Sequence, residues 1–354
     1  MINVYGNEKF SPDMAKKYLE MLISSFRNYY SNLDYKEKLP ILISSGFDPT
    51  VRFIGSHISV FKPYLISGEI PFPGIYMRQD CIRTRNTNYL FKDDYYPTWG
   101  SYFPSIGVLS SPERLNEEYK NIFDFLKKEL KICSDNILIR VNSLDNDLMS
   151  ACNYCGEFVE IDSRNLDYYR HKIGIKGIWG RNCNIALRNS TGNGFSDIGN
   201  IIIIENEEKM IGIEIALGST VILKELYGLD HVQDCTPVSG LSLENNTIRR
   251  KFEDSIITST ILFREGLKPF KNNSRSRILK QYVLSLSYFR AKSGLSINEL
   301  SKIISNYEER EFPGSIQHVS EIIIRSIEEV ENDILLKKNP TKIEIQIKKA
   351  LEYI

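Results

Sequence analysis

Residues 198–205, IGNIIIIE, and 211–217, IGIEIAL, decide how this chain folds. Two apolar runs of strand length flank a polar turn at Asn206-Glu-Glu-Lys209, which reads as an antiparallel hairpin. Four consecutive isoleucines leave no polar face, so the strand they form is buried on both sides, at the centre of a sheet. Working outward, residues 218–228 turn helical, and residues 50–62, 74–84 and 137–141 read as further strands. Apolar residues at helical spacing mark 13–32 (Met14, Tyr18, Met21, Leu22, Phe26, Tyr29) and 112–130, the latter after a Ser-Pro start. From Arg249 onward the pattern is almost wholly helical, broken at Gly266–Pro269 and Phe312–Gly314. The expected class is therefore α+β, with an antiparallel sheet flanked by helices in residues 1–245 and an all-helical domain in 246–354.

Composition bounds the function. The 354 residues suffice for a substantial core and two domains, and 42% hydrophobic with 25% charged residues is ordinary for a globular chain. No apolar run is long enough to span a bilayer, and residues 1–20 lack an apolar signal core, so a cytoplasmic protein is expected. Six cysteines without framework spacing read as reduced thiols. Formal net charge is zero, but residues 246–295 carry eleven Lys/Arg against three Asp/Glu, while 296–354 carry eight against eleven. The first of these is a local basic region suited to a phosphate backbone, a solvated helix face being the plain alternative.

Two stretches point to chemistry: residues 48–62, DPTVRFIGSHISVFK, and residues 78–83, RQDCIR. In this order and spacing they resemble motifs 1 and 2 of the alanyl-tRNA synthetase catalytic domain, a class II aminoacyl-tRNA synthetase. The resemblance implies a class II antiparallel sheet and an enzyme that joins an amino acid to the α-phosphate of ATP, with Mg²⁺ on the β- and γ-phosphates. Arg83 falls on the motif 2 arginine that holds the α-phosphate, a role that suits its planar, permanently charged fork. Arg85, two residues on, would share its strand face. Without that resemblance, Arg78, Arg83 and Arg85 read as decoration of an exposed strand. Residues 95–103, YYPTWGSYF, fill the place of the return strand, with Trp99 and Tyr102 set to pack on adenine or to serve as core, and with Pro97 where the family has glutamate.

The same resemblance places Asn200, in DIGNIIII, at the amino-acid pocket, and Glu214, in IEIALG, on the substrate ammonium. A buried asparagine or carboxylate needs partners, which a ligand or a protein bulge or ion pair supplies. Gly192, in STGNGF, falls in a Gly-rich pocket loop. Gly218 opens motif 3, but the arginine that should follow is Val221, leaving Lys224 one turn on as the substitute for a γ-phosphate contact. Residues 255–294 resemble the family's tRNA-recognition helices, more loosely, with Arg275, Arg277 and Lys280 as tRNA contacts. Cys152-Asn-Tyr-Cys155 has zinc-knuckle spacing that His171 and Cys183 would complete, against the alternative of ordinary buried thiols. The family's editing domain has no place in this length. The departures suggest a specialised biosynthetic paralogue acting on tRNA (alanine-type) or another acceptor. The other readings are a non-catalytic tRNA-binding or regulatory protein, and a tRNA-independent ligase acting on a carrier protein or amine. The amino acid and the oligomeric state are left open.

Overall fold

The isoleucine run divides as a doubly buried strand must: Ile201 and Ile203 enter one apolar core, Ile202 and Ile204 another on the opposite face. A computed structural model describes residues 10–92, 94–152, 158–162, 166–189 and 192–352. Its nine strands are β1 (Lys36–Glu37), β2 (Gly74–Ile82), β3 (Tyr102–Ser110), β4 (Ile137–Asn142), β5 (Phe158–Asp162), β6 (Arg170–Lys172), β7 (Trp179–Arg188), β8 (Phe195–Glu205) and β9 (Met210–Gly218). They form one sheet in the order β1-β2-β3-β9-β8-β7-β4-β5, with β6 also on β7. The pairings β1–β2 and β4–β5 are parallel and the rest antiparallel. The expected α+β architecture stands: a sheet flanked by helices, followed by a helical region.

One face of the sheet is covered by α1 (Pro12–Ser31), α3 (Leu115–Asp124), α4 (Asn146–Cys152) and α5 (Ser219–Tyr227), whose Phe26, Tyr119, Phe123 and Ile222 meet Val108, Ile185 and Ile215. The other face is covered over part of its area by α2 (Ile58–Ser67), through Val60, Phe61 and Leu65 on Met77, Leu109 and Ile202. This helix corrects the expected strand over 50–62. Ile54, Ile58 and Val60 give that stretch a strand-like composition, yet Phe61 and Leu65 pack one helical turn apart on the sheet, and this tertiary contact overrides local propensity. The strand expected over 74–84 also ends early, at Ile82.

Residues 48–62 are knotted at their ends. Asp48, 2% exposed, accepts hydrogen bonds from Lys62 Nζ (2.6 Å), Ser59 Oγ (2.7 Å) and Thr50 Oγ1 (2.7 Å). Burial opposes its charge, but the Lys62, Ser59 and Thr50 bonds prevail and bring its pKa down to about 2.

The helical region begins at α6 (Asn246–Arg264), capped by Asn245, and continues through α7 (Ser274–Lys292), α8 (Ile297–Glu311), α9 (Ser320–Leu336) and α10 (Lys342–Leu351). Its apolar core takes in Ile43, Phe53, Ile82 and Leu90 from the sheet region. Two polar clamps reinforce this junction. The Glu265 carboxylate accepts from the backbone N–H groups of Ile43 and Ser44, each at 2.7 Å, and Arg275 Nε donates to the carbonyl of Arg52 at 2.5 Å. We predict that Glu265→Leu costs about 1–3 kcal/mol by stranding two donors and accelerates amide exchange at Ile43 and Ser44. Unchanged exchange at both amides would show that the clamp is idle.

Candidate functional site

The pleat selects which side chains reach the face that α2 leaves open. Every second residue of β2 points there, ending with Cys81 and Arg83, whose N–H extends the ladder by donating to Ser101 at 2.8 Å. Across the register the same face carries Phe103, Ser105 and Gly107 on β3, Glu214, Ala216 and Gly218 on β9, Asn200 on β8, and Asn182 and Asn184 on β7. Gly107 has a specific reason to be glycine: a Cβ there would lie 2.7 Å from His57 Nδ1 and 2.6 Å from the Ile215 carbonyl. The missing side chain seats the His57 ring on the sheet floor.

Two cavities meet on this face. The outer one, about 760 Å³, runs between residues 48–62, 82–86 and 172–174; the inner one, about 310 Å³, runs over β3, β9 and β8 to Tyr168 and His171. They share Gly55, Ser56, Arg83 and Trp99. Five cationic side chains (Arg52, Lys62, Arg83, Arg85 and Lys172) line the outer cavity against one carboxylate, Asp48, and that carboxylate is held by Lys62. The inner cavity is walled at its far end by a polar network. Asn184 Oδ1 accepts from Asn182 (2.5 Å) and Asn200 (2.6 Å), and Asn184 Nδ2 donates to Asp197 (3.1 Å). Asp197 also accepts from Arg140 and Tyr168.

Arg83 stands at the waist. Its guanidinium lies between the Trp99 ring, 4.5 Å away, and the Phe103 ring, 4.6 Å away. Nε is buried without a partner, and no described carboxylate pairs with Arg83. Burial lowers its pKa, opposed by the nearby Cys81. A half-buried cation flanked by rings and lacking a counter-ion has the charge and the free donor capacity to take up an anion.

The other sequence-predicted residues separate into several environments. Arg85 does not continue the strand, because residues 84–89 form a tight helical turn; it is exposed and lines the outer cavity. Asn200 and Gly218 line the inner cavity, and Trp99 lines both. Tyr102 lines neither, because it points to the opposite face and donates to Asp80 at 2.9 Å. Glu214 lies on the correct face but lines neither cavity. It is 2% exposed, with Oε1 unpartnered, and burial raises its pKa to about 8. Gly192 has φ +74° in the turn between β7 and β8 and lines neither cavity; its neighbours Ser190 and Thr191 fall outside the described residues. Lys224 donates to Glu225 at 2.6 Å and is absent from both cavity walls, so it does not stand in for the missing arginine at Val221.

The zinc reading fails on the pleat. Cys183 enters the core under α3, 2.6 Å from the Tyr119 hydroxyl and close to Cys152, whereas His171 lines the inner cavity on the opposite face. Cys155 lies outside the described residues, and these contain no group of three or more His, Cys, Asp or Glu side chains suited to a metal. Mg²⁺ has no free carboxylate in the outer cavity either, Asp48 being engaged. No described helix is long and apolar enough to cross a membrane.

The basic count of residues 246–295 also thins on folding. Arg249 and Arg250 pair with Asp234, Arg264 with Glu308 and Arg290 with Glu331, and Lys251 is buried on backbone carbonyls. Arg275 holds the Arg52 carbonyl, and Lys280 lies 5.6 Å from the Phe270 ring. Lys268, Lys271 and Arg277 are left exposed around the α6–α7 turn.

Reading the sequence missed Phe103, His57, Asn184 and Asp197 as cavity residues. Asn184 carried the same signal as Asn200, a polar amide inside an apolar strand. His57 and Phe103 carried none, because only the register brings them to the floor.

No protein-family profile and no curated protein matches the chain. Solved structures similar in fold include histidyl-tRNA synthetase from S. aureus (12% identity, 68% of this chain and 74% of that one, TM-score 0.43). The RNA binding domain of threonyl-tRNA synthetase from Cryptosporidium parvum Iowa II is similar at 11% identity (62% of this chain, TM-score 0.42), and the chain spans 65% of its length. Asparaginyl-tRNA synthetase from Entamoeba histolytica, in complex with asparaginyl-adenylate, is similar at 8% identity (63% and 66%, TM-score 0.41). At these identities the likeness is one of fold.

Proposed function

We propose that the cleft activates an amino acid at the α-phosphate of ATP and passes the acyl group to tRNA or another acceptor. The observation that carries this reading is Arg83, a ring-flanked guanidinium without a counter-ion, at the waist between a cationic cavity and a smaller polar one. Polyphosphate suits the outer cavity, whose cations outnumber its carboxylates. The amino acid suits the inner one. A carboxylate oxygen attacks the α-phosphorus, the bond to the bridging oxygen breaks, and pyrophosphate leaves. Arg83 holds the α-phosphate oxygens, on which charge grows as the new bond forms. Arg52, Arg85 and Lys172 neutralise the departing pyrophosphate. The resemblance to the alanyl enzymes supports alanine-type tRNA as an acceptor, and the exposed Lys268, Lys271 and Arg277 supply a small phosphate-binding patch beside Arg275.

Val221 and the engaged Lys224 favour a second reading, a synthetase-like tRNA binder without catalysis. Pyrophosphate exchange into ATP across a panel of amino acids separates the two. We expect exchange with at least one amino acid. No exchange with any, together with a tRNA gel shift that weakens steeply with salt, would select the binder.

A further inference from the structure

Arg83 owes one of its two rings to a segment that the helical region holds. Trp99 lies in residues 96–101, which lead into β3, and the bonds of this segment run mainly to α6 and to the turn before it. His231 Nε2 donates to the Pro97 carbonyl at 2.7 Å, its Nδ1 accepting the Gln233 N–H, and Tyr96 donates to Gln233 Oε1 at 3.3 Å. That turn is itself tied to α6, since Asp234 pairs with Arg249 and Arg250. Ser101, the last residue of the segment, is gripped by α6 directly. Its N–H donates to Asp254 Oδ1 at 2.7 Å and its hydroxyl to Asp254 Oδ2. The Ser101 carbonyl in turn accepts the Arg83 N–H at 2.8 Å. Asn86 closes the circuit, donating Nδ2 to the Trp99 carbonyl (2.7 Å) and its N–H to the Arg83 carbonyl (3.2 Å).

The segment has no slack. A Cβ on Gly100 would lie 3.3 Å from both Gln233 Oε1 and the Tyr102 carbonyl. Asp254 itself is 1% exposed, and burial pushes its pKa up to about 6, opposed by its Ser101 and Tyr102 contacts rather than by a cation. A buried carboxylate without a cation costs stability, so packing alone does not account for it.

We infer that Asp254 is a positioning residue for the Arg83 site. From α6 it fixes Ser101, and through Ser101 both the backbone of Arg83 and the ring of Trp99 against which the guanidinium lies. Docking of the helical region thereby regulates the cleft: α6 in place closes Trp99 on Arg83 at 4.5 Å, and α6 displaced releases that ring. The kinetic consequence rests on the activation reading above; the geometry does not.

The test uses the full chain with Trp179→Phe, which leaves Trp99 as the one tryptophan. Pyrophosphate exchange per folded molecule is measured beside acrylamide quenching of Trp99 in the ligand-free protein. Asp254→Ala should lower exchange about 10- to 100-fold, the cost of a displacement of roughly 1 Å at a reacting group, and should make Trp99 more readily quenched. Asp254→Asn, which keeps an acceptor for the Ser101 N–H, should recover most of both. Ser101→Ala, which removes only the hydroxyl bond, should move both readouts in the same direction by less, and it decides the matter if Asp254→Ala does not fold. Lower stability with exchange and quenching unchanged would make Asp254 a packing residue and overturn the inference, as would a fall in exchange with Trp99 undisturbed. If the parent chain shows no exchange with any amino acid, the activation reading falls, and Trp99 quenching alone judges Asp254.

Discussion

Arg83→Met abolishes pyrophosphate exchange, lowering it by about 10³-fold, yet leaves the ligand-free protein as stable as before or slightly more so. The loss follows from charge that grows on the α-phosphate as the acyl oxygen attacks, where removal of one preorganised donor typically costs 10²–10³-fold. The stability outcome follows from opposing terms. Contacts with Trp99 and Phe103 stabilise the guanidinium by roughly 1 kcal/mol each. Desolvating a cation with no carboxylate, and leaving Nε without an acceptor, costs about as much or more. Methionine keeps the apolar contact with both rings and removes the desolvated charge. A structural arginine would behave in the opposite way, losing stability on substitution. Exchange rates and urea unfolding on one preparation decide it: destabilisation above about 2 kcal/mol with exchange retained would reduce Arg83 to a packing residue.

Glu214→Gln should flatten the alkaline side of the stability profile. The folded-state pKa is about 8, raised by burial, against an ordinary 4.5. Below pH 4.5 the carboxyl is protonated in both states and favours neither. As pH rises toward 8 the unfolded chain releases the proton while the folded one retains it, so stability is lost across that window. At about 1.36 kcal/mol per pH unit, the loss reaches roughly 4 kcal/mol. Glu118 and Glu253 (about 7) and Asp254 (about 6), all raised first by burial, add losses of the same sign at lower pH. The amide variant removes only the Glu214 share. Its melting temperature should match that of the wild type near pH 4.5 and exceed it by several degrees at pH 8. Parallel profiles would mean that residue 214 is hydrated in the folded state.

The hairpin of β8 and β9 was legible because both its signals are local, an isoleucine run and a polar turn. Arg83 was legible as a candidate because residues 78–83 follow residues 48–62 at a spacing that carries a resemblance. What the sequence hid was decided across strands. Tyr102 and Trp99 look equivalent in YYPTWGSYF, yet Tyr102 is sent by the pleat to the opposite face. Cys183 and His171 look like members of one ligand set until β7 separates them. Residues 50–62 look extended because their β-branched content is high, and only packing against Met77 and Ile202 makes part of them helical. The basic stretch of α6 and α7 looked like one surface, but Arg249, Arg250, Arg264 and Arg290 turn out to hold the helices together.

The clamps at Glu265 and Arg275 reach loop residues more than two hundred positions earlier in the chain. The rim of the cleft is thus finished only after the last third of the polypeptide has docked. A ribosome releasing this chain completes the scaffold early and the mouth late. A truncated form ending before α6 would carry Arg83 and its rings but not the brace that shapes their entrance.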